Sequence, residues 1–131
     1  MLANETVRDR VVLVVEDSDE CRATLDIALH SMVGYTVEFA ASAEEALRVL
    51  SYEAVGALIT DLHLSAMDGL ELVERVRSQS RYASIPILVI SGDADPETPR
   101  RALRAGANAF FGKPYSPTAV RQKLEELIHA R

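Results

Sequence analysis

The stretch ALITDLHLSAMDGLEL, which runs from Ala57 to Leu72, puts a carboxylate at the end of a segment with the composition of a buried β-strand. The residues from Ala57 to Thr60 are apolar or β-branched, and Asp61 follows them directly. An ionised carboxylate beside apolar residues is unfavourable unless a cation or hydrogen-bond donors stabilise its charge. The position of Asp61 therefore predicts a charged partner from another part of the chain.

Four other segments have strand character. Val11–Val15 and Ile87–Ile90 contain Val, Leu and Ile without alternation, which is typical of strands covered on both faces in a parallel sheet. A shorter run, Ala109–Phe111, and an alternating segment, Thr36–Ala40, complete the set. Apolar residues at helical spacing follow each strand. This order predicts an α/β fold with a doubly wound, five-stranded parallel sheet of flavodoxin-like (βα)5 type and strand order 2-1-3-4-5.

Residues typical of helix ends support this interpretation. They are Ser42 with Glu45 as a capping box, Ser116 with Pro117 as N-cap and first position, and Gly34 and Gly106 as stops. Pro96 and Pro99 crowd the start of the fourth helix, so we expect that helix to become regular near Pro99, to be short and to be mobile. With neither a repeat nor a linker, we expect one domain over residues 1–131, with its core at about 10–128.

Polar side chains stand at the ends of four of the predicted strands: Glu16 and Asp17 after the first, Asp61 after the third, Ser91 after the fourth and Lys113 after the fifth. The carboxyl ends of parallel strands share one edge of a sheet, so these groups are expected to meet there. Three adjacent carboxylates exceed the one charge of Lys113, and a divalent cation would balance them. Mg²⁺ bound by one or two carboxylates, waters and a phosphate oxygen fits this set. The alternative is that each residue belongs to a turn or cap, with Asp17 or Ser18 capping the first helix.

The composition excludes several classes of protein. The 131 residues are 48% hydrophobic and 26% charged, with a net charge of −6, which disfavours direct binding to nucleic acid. Cys21 is the sole cysteine of the sequence and cannot form an internal disulfide. The polar segment MLANETVRDR precedes an apolar run too short for a signal-peptide core, and the sequence has no run of ~20 apolar residues. We therefore expect a cytoplasmic protein without membrane contact.

The sequence resembles the receiver domains of bacterial two-component response regulators, from about Arg10 to Ile128. The resemblance is carried by Glu16-Asp17, by Asp61 in DLHLSAMDG, by Ser91-Gly92 and by FFGKP, which ends in Lys113-Pro114. It implies a phosphoprotein in which Asp61 accepts a phosphoryl group from a phosphohistidine. It also implies Mg²⁺ as cofactor, with Asp17 and Asp61 as direct ligands, Glu16 acting through water and His63 contributing its backbone carbonyl.

The same resemblance assigns the remaining roles. Ser91 matches the hydroxyl that contacts the phosphoryl group, and Lys113 matches the lysine that pairs with it, before a peptide bond that is often cis. Phe110 matches the aromatic switch residue, which would fill the space that Ser91 leaves. Ser65 stands where proline is common, and the acidic pair that precedes the switch aromatic in one DNA-binding subgroup is replaced by Ala107-Asn108-Ala109. The His63 side chain is either an influence on dephosphorylation or a solvated loop histidine.

The implied partners are a sensor histidine kinase or a histidine phosphotransfer protein, and a downstream target or an effector domain outside this chain. A homodimer that forms on phosphorylation is left open, and the basic fourth helix with Arg100, Arg101 and Arg104 is either a docking surface or a solvated face. We expect a signalling domain rather than an enzyme. One alternative is a non-phosphorylated receiver-like scaffold. Another is a haloacid-dehalogenase-like phosphatase, although that family has Asp where His63 stands here.

Overall fold

The computed structural model describes residues 11–130, so residues 1–10, among them Arg10 at the predicted start of the core, and residue 131 lie outside the described part. Strands and helices alternate along it. They are β1 Val11–Val15, α1 Asp19–Leu29, β2 Thr36–Ala40, α2 Ala43–Tyr52, β3 Val55–Asp61, α3 Gly69–Arg77, β4 Ile87–Ser91, α4 Thr98–Ala105, β5 Ala109–Gly112 and α5 Pro117–His129. A 3₁₀ turn, Ser80–Tyr82, lies between α3 and β4.

The strands form one parallel sheet in the order β2-β1-β3-β4-β5, which confirms the predicted flavodoxin-like architecture. The register aligns the carboxyl ends of the strands. Val15 pairs with Ala40 on one side and Thr60 on the other, Asp61 pairs with Ile90, and Ser91 pairs with Gly112. The residues that follow β1, β3, β4 and β5 therefore emerge at the same edge of the sheet.

Two hydrophobic clusters cover the two faces of the sheet. Alternate residues of β1 belong to different clusters, because successive side chains of a strand point to opposite faces. Leu13 and Val15 pack with residues of α2, α3 and α4, whereas Val12 and Val14 pack with residues of α1 and α5. Each fully buried Leu or Val contributes about 1.5–3 kcal/mol to folding. The sheet is thus held between two helical layers.

Side chains at the N-caps fix where four of the helices begin. Ser18, Ser42, Asp68 and Ser116 each accept a hydrogen bond from the backbone N–H three residues on. The N-caps predicted at Ser42 and Ser116 are confirmed, and Ser18 rather than Asp17 caps α1.

Helix α4 differs from these helices. It begins at Thr98 without a side-chain cap and is the shortest α-helix of the described residues, as the prolines predict. It ends at Gly106, whose φ of 122° is a conformation that L side chains rarely adopt.

Arg77, the last residue of α3, links the C-terminal end of α4 to the segment that leads into β4. Its Nε donates to the Gly106 carbonyl at 2.9 Å, and its Nη1 donates to the Tyr82 and Ile85 carbonyls at 3.1 and 2.8 Å. Its Nη2 donates to Oδ1 of Asn108, which also accepts from the Ile87 N–H. Burial lowers the pKa of the Arg77 guanidinium. We call this set of bonds the Arg77 clamp; it sets the connection between α4 and β5 at the end of the sheet away from the predicted site.

Residues 11–130 contain no helix that is both long enough and apolar enough to span a membrane.

Candidate functional site at the carboxyl edge of the sheet

Asp61 lies at the end of β3, every residue of which is buried, and it is itself only 6% exposed. Its Oδ1 accepts a hydrogen bond from the His63 N–H at 3.0 Å, and its Oδ2 accepts one from Lys113 Nζ at 2.8 Å. The charged partner predicted for Asp61 is therefore Lys113, which follows β5. The backbone of α3 also lies close to Asp61. A Cβ on Gly69, the first residue of α3, would collide with the Asp61 carbonyl oxygen.

Glu16 is a second buried carboxylate at this edge, only 3% exposed. Its Oε1 lies 3.6 Å from Lys113 Nζ, and its Oε2 accepts a hydrogen bond from the Ser18 N–H at 3.1 Å. Burial raises the pKa of the Glu16 carboxyl, and the negative charge of Asp61 raises it further, against the lowering effect of the Ser18 N–H and Lys113. Two carboxylates thus share the charge of Lys113, which leaves the site with an excess of negative charge.

Lys113 is held where it can reach both carboxylates. Its N–H donates to the Ser91 carbonyl at 2.8 Å, and its peptide bond to Pro114 is cis. Burial alone would lower the pKa of the Lys113 ammonium, but the hydrogen bond and charge of Asp61, together with Glu16, raise the pKa above its ordinary value. The lysine therefore stays protonated as the cation of this edge.

Asp17 is exposed in the loop after β1, next to the buried Glu16. Residues 11–130 contain no group of three or more His, Cys, Asp or Glu side chains that could hold a metal ion by themselves. Mg²⁺ does not require such a cage, since it is usually bound by one or two carboxylates and keeps several waters. The negative excess at Glu16 and Asp61 fits a hydrated divalent cation, and the role of Asp17 as its ligand stays a prediction.

Ser91, at the end of β4, is fully buried. Its Oγ accepts a hydrogen bond from the Asp93 N–H at 2.9 Å. The structure gives its O–H no acceptor within residues 11–130. A buried hydroxyl usually has a partner for its proton. Ser91 therefore has a donor to offer to an acceptor that binds at this edge.

Asp93 lies opposite His63 across the site. Asp93 Oδ2 is 3.8 Å from His63 Nε2. A hydrogen bond from the Asp95 N–H lowers the pKa of the Asp93 carboxyl, and Thr98, His63 and Arg101 act in the same direction against burial. The loops after β3 and β4 are thus joined by a polar contact over the edge of the sheet.

The two phenylalanines of β5 point to opposite faces of the sheet. Phe110 is half-buried and packs against the cluster that includes α4, whereas Phe111 packs against the cluster of α1 and α5. Phe110, the predicted switch residue, therefore lies on the α4 side of the sheet. Its movement in response to Ser91 stays a prediction.

Tyr115, a residue that was not identified from the sequence, is half-buried beside Lys113. Both residues line a cavity of about 500 Å³ between α1 and the start of α5, together with Cys21 and Thr24. Burial and the nearby Cys21 and Glu16 raise the pKa of Tyr115 to about 12. Its place two residues after Lys113, past the cis bond, is a signal that could have indicated its proximity to the site.

Comparisons with known proteins agree with this arrangement. Residues 12–125 match the family described as the response regulator receiver domain. The chemotaxis protein CheY1 of Helicobacter pylori (strain 26695) is 38% identical over 119 residues, which cover 89% of this chain and 95% of CheY1. A CheY homolog of Campylobacter jejuni (strain 81-176) is 34% identical over 118 residues, which cover 89% of this chain and 91% of that protein.

A solved structure supports the same grouping. The chemotaxis response regulator CheY4 of Vibrio cholerae has a TM-score of 0.81 and 32% sequence identity, and the match covers 91% of this chain and 98% of CheY4. The predicted order of strands and the ion pair between the buried Asp61 and Lys113 occur in a sequence that matches the family over most of its length. The chain therefore belongs to the receiver domain family of two-component response regulators.

Proposed function

We propose that this receiver domain accepts a phosphoryl group on Asp61 and is switched by it. The observation that carries the proposal is the Asp61 carboxylate, which is buried and held by Lys113 Nζ at 2.8 Å. The buried Ser91 hydroxyl emerges from the neighbouring strand. Phosphoryl transfer depends mainly on positioning and on cations that stabilise charge on the equatorial oxygens. These groups supply both.

In the proposed reaction, a carboxylate oxygen of Asp61 attacks phosphorus in line with the phosphorus–nitrogen bond of a phosphohistidine. The new phosphorus–oxygen bond forms as the phosphorus–nitrogen bond breaks, and its electron pair returns to the imidazole nitrogen. Lys113 stabilises negative charge on the transferring group, and Ser91 donates a hydrogen bond to one of its oxygens. The product is an acyl phosphate on Asp61.

Mg²⁺ is the proposed cofactor. Asp17 and Asp61 would bind it directly, the His63 carbonyl would be the third protein ligand, and Glu16 would act through water. When bound, Mg²⁺ neutralises charge on the phosphoryl oxygens. The buried, negatively charged pair of Glu16 and Asp61 supports this assignment, because a lysine alone leaves their charges unbalanced.

The proposed output is a shift between two packings. Ser91 would move toward the phosphoryl group, and Phe110 would fill the space beside α4. The half-buried position of Phe110 against the α4 cluster supports this step. The surface of α4, β5 and α5 would then present a different face to a target.

The proposed partners follow from this chemistry. A sensor histidine kinase or histidine phosphotransfer protein supplies the phosphoryl group, and a protein target or effector domain responds to it. A phosphorylation-dependent homodimer is a further form that the response can take. The sheet with its two helical layers supports one receiver domain for the chain. A signalling role in the cytoplasm, where a kinase would supply the phosphoryl group, is part of the same proposal.

The first prediction concerns Asp61. With Mg²⁺ and radiolabelled acetyl phosphate, the wild type should gain one base-labile phosphoryl group per chain, and Asp61→Asn should gain none. Asp17→Asn and Lys113→Ala should be labelled at least ~10-fold more slowly, since each removes a charge that stabilises transfer. Mass spectrometry and scintillation counting measure the yield and the rate.

The control is Asp68→Asn, the same chemical change at an exposed helix cap in the loop after β3. It should be labelled like the wild type. Labelling of Asp61→Asn would move the acceptor elsewhere, and absence of label in the wild type would favour the scaffold function. Steady release of phosphate from small phosphoesters would instead indicate a phosphatase.

A further inference from the structure

A series of three hydrogen bonds connects the Ser91 hydroxyl to the start of α4. Ser91 Oγ accepts from the Asp93 N–H, Asp93 Oδ1 accepts from the Asp95 N–H, and Asp95 Oδ1 accepts from the Glu97 N–H. Each donor–acceptor distance is 2.9 Å, and each bond spans two residues. We call this series the β4–α4 ladder. It uses alternate residues of the sequence SGDADPE, so every second side chain holds the backbone ahead of it.

The far end of the ladder is seated on the first turn of α4. Thr98 is fully buried, its N–H donates to the Asp95 carbonyl at 3.1 Å, and its Oγ1 accepts from Arg101 Nη2 at 3.1 Å. Arg101 Nη2 also lies 3.9 Å from Asp95 Oδ2. The loop is therefore restrained at both ends, by the switch serine and by a buried threonine of the helix.

This arrangement acts on the orientation of the Ser91 hydroxyl. A hydroxyl that accepts a hydrogen bond keeps its proton for donation, and the accepted bond restricts which way the proton can point. A donor that is already oriented loses less entropy when an anion binds than a freely rotating one does.

We propose that Asp93 and Asp95 are positioning residues for the phosphoryl group: the β4–α4 ladder moves together with Ser91 and keeps its hydroxyl oriented as a hydrogen-bond donor. The proposal rests on the proposed function of Asp61 and Ser91, and it adds two residues that do not touch the phosphoryl group. The carboxylates act as acceptors for backbone N–H groups. Their charge is not what the ladder requires.

That distinction sets the experiment. Asparagine keeps the side-chain oxygen that accepts the backbone N–H, whereas alanine removes it. Binding of beryllofluoride, a phosphoryl mimic, is measured by fluorine NMR titration of the full chain in saturating Mg²⁺. Asp93→Ala removes the acceptor of the Asp95 N–H and keeps the backbone N–H that donates to Ser91. We expect it to weaken binding about tenfold, the effect of losing roughly one hydrogen bond. Asp93→Asn should stay within about threefold of the wild type on the same basis.

Asp95, the acceptor in the third hydrogen bond of the ladder, provides an independent variant, because it is exposed and lies farther from Asp61 along the loop. Asp95→Ala should weaken beryllofluoride binding by a smaller factor, and Asp95→Asn should restore it. Amide hydrogen exchange in the unliganded protein gives a readout that does not depend on binding. Asp93→Ala should speed exchange at Asp95 N–H, and Asp95→Ala should speed exchange at Glu97 N–H.

Ser42→Ala is the control for general destabilisation, since it removes a helix cap of α2 and leaves the ladder intact. It should bind beryllofluoride like the wild type. The proposal is overturned if Asp93→Asn binds as weakly as Asp93→Ala, which would indicate that Asp93 acts by its charge on His63. Unchanged binding in both alanine variants would also overturn it. A wild type that does not bind beryllofluoride would remove the proposed function itself, and this ladder role with it.

Discussion

Gly69 sets how closely α3 approaches Asp61, the proposed phosphoacceptor. A Cβ at this position would lie on the Asp61 carbonyl oxygen and within 2.9 Å of the Leu62 Cα, and both are backbone atoms that cannot turn aside. The Gly69 N–H donates to the Leu62 carbonyl at 2.8 Å. The end of β3 and the start of α3 are thus packed backbone to backbone, which fixes the direction in which the Asp61 side chain leaves the strand.

We therefore predict that Gly69→Ala destabilises the fold by about 2 kcal/mol or more, because α3 must move away from β3. Urea unfolding measures the loss. Gly92→Ala is the matched control, since its Cβ would meet side-chain atoms of Lys113 at 3.8 and 3.9 Å, which is ordinary contact. That variant should be neutral or stabilising by up to about 1 kcal/mol. Equal stability of the two variants would contradict the packing argument.

Arg77 and Arg75 provide a second matched pair, in the same helix. Arg77→Met should destabilise by about 2–4 kcal/mol, because it removes the Arg77 donor from the carbonyls of Gly106 and Ile85 and one of the two donors to Asn108 Oδ1. Arg75→Met removes an exposed ion pair with Glu71 and should cost under about 1 kcal/mol. Chemical unfolding in urea compares them, and a small effect at Arg77 would show that water replaces the clamp.

At the scale of elements, β2 and the end of α2 are joined by two acidic side chains. Glu38 of β2 shares a hydrogen bond with the carboxyl of Glu53, the residue that follows α2. This hydrogen bond, burial and the charge of Glu53 raise the pKa of Glu38 to about 7. When it is protonated, the Glu38 carboxyl can donate this hydrogen bond to Glu53.

The sign of the pH effect follows from the raised pKa. A group that binds its proton more tightly when folded stabilises the fold below its unfolded pKa, near 4.5, and loses that contribution as the pH rises through about 7. We predict that the free energy of unfolding falls between pH 5 and pH 8, by on the order of 1 kcal/mol from this pair.

Glu38→Gln should remove this part of the pH dependence, and Glu74→Gln, at an exposed position of α3, should keep it. Urea unfolding at several pH values measures both variants. A pH dependence that survives in Glu38→Gln would assign it to other groups.

Elements differ in how much of them could be predicted from the sequence. The caps at Ser42 and Ser116 could be read because an N-cap acts on its own first turn. The Arg77 clamp could not be predicted in this way. It joins Arg77 to Gly106 and Asn108, which lie 29 and 31 positions away in the sequence, and no local pattern contains such contacts. The β4–α4 ladder is local, yet a run of Asp and Ser in a loop is equally typical of a solvated turn.

At the scale of the whole molecule, the sheet order was predictable because unbroken apolar strands and right-handed crossovers leave few topologies. That order brings Asp61, Glu16, Ser91 and Lys113 to one edge, so the location of the candidate site could be predicted from the sequence. Distances and burial could not be placed in this way. The burial of Glu16, which raises its pKa, and the proximity of Tyr115 to the site depend on how the side chains pack, and no sequence pattern indicates them.

The proposed Mg²⁺ site predicts a change in the stability of the whole fold. A ligand that binds the folded state alone stabilises it by about 2.7 kcal/mol at a hundredfold excess over its Kd. The wild type should therefore unfold several degrees higher in Mg²⁺ than in a chelator, at matched ionic strength. Asp17→Asn should lose most of this rise, whereas Asp68→Asn should keep it. Differential scanning calorimetry gives the midpoints, and equal rises in all three proteins would argue against Asp17 as a ligand.

Helix α4 is fastened by unlike means at its two ends. At its C-terminal end, Arg77 donates to the neutral oxygens of Gly106 and Asn108, which lie away from the proposed site. Its N-terminal end is connected through the β4–α4 ladder to Ser91, the residue that phosphorylation would move. If phosphorylation moves Ser91, a helix of 8 residues held in this way would turn about Gly106 as a lever about 12 Å long. A swing of about 10° would carry Thr98 roughly 2 Å while leaving the pivot almost still. The moving part of this surface would thus be the end nearest the chemistry, and a docked protein would sense a tilt rather than a slide.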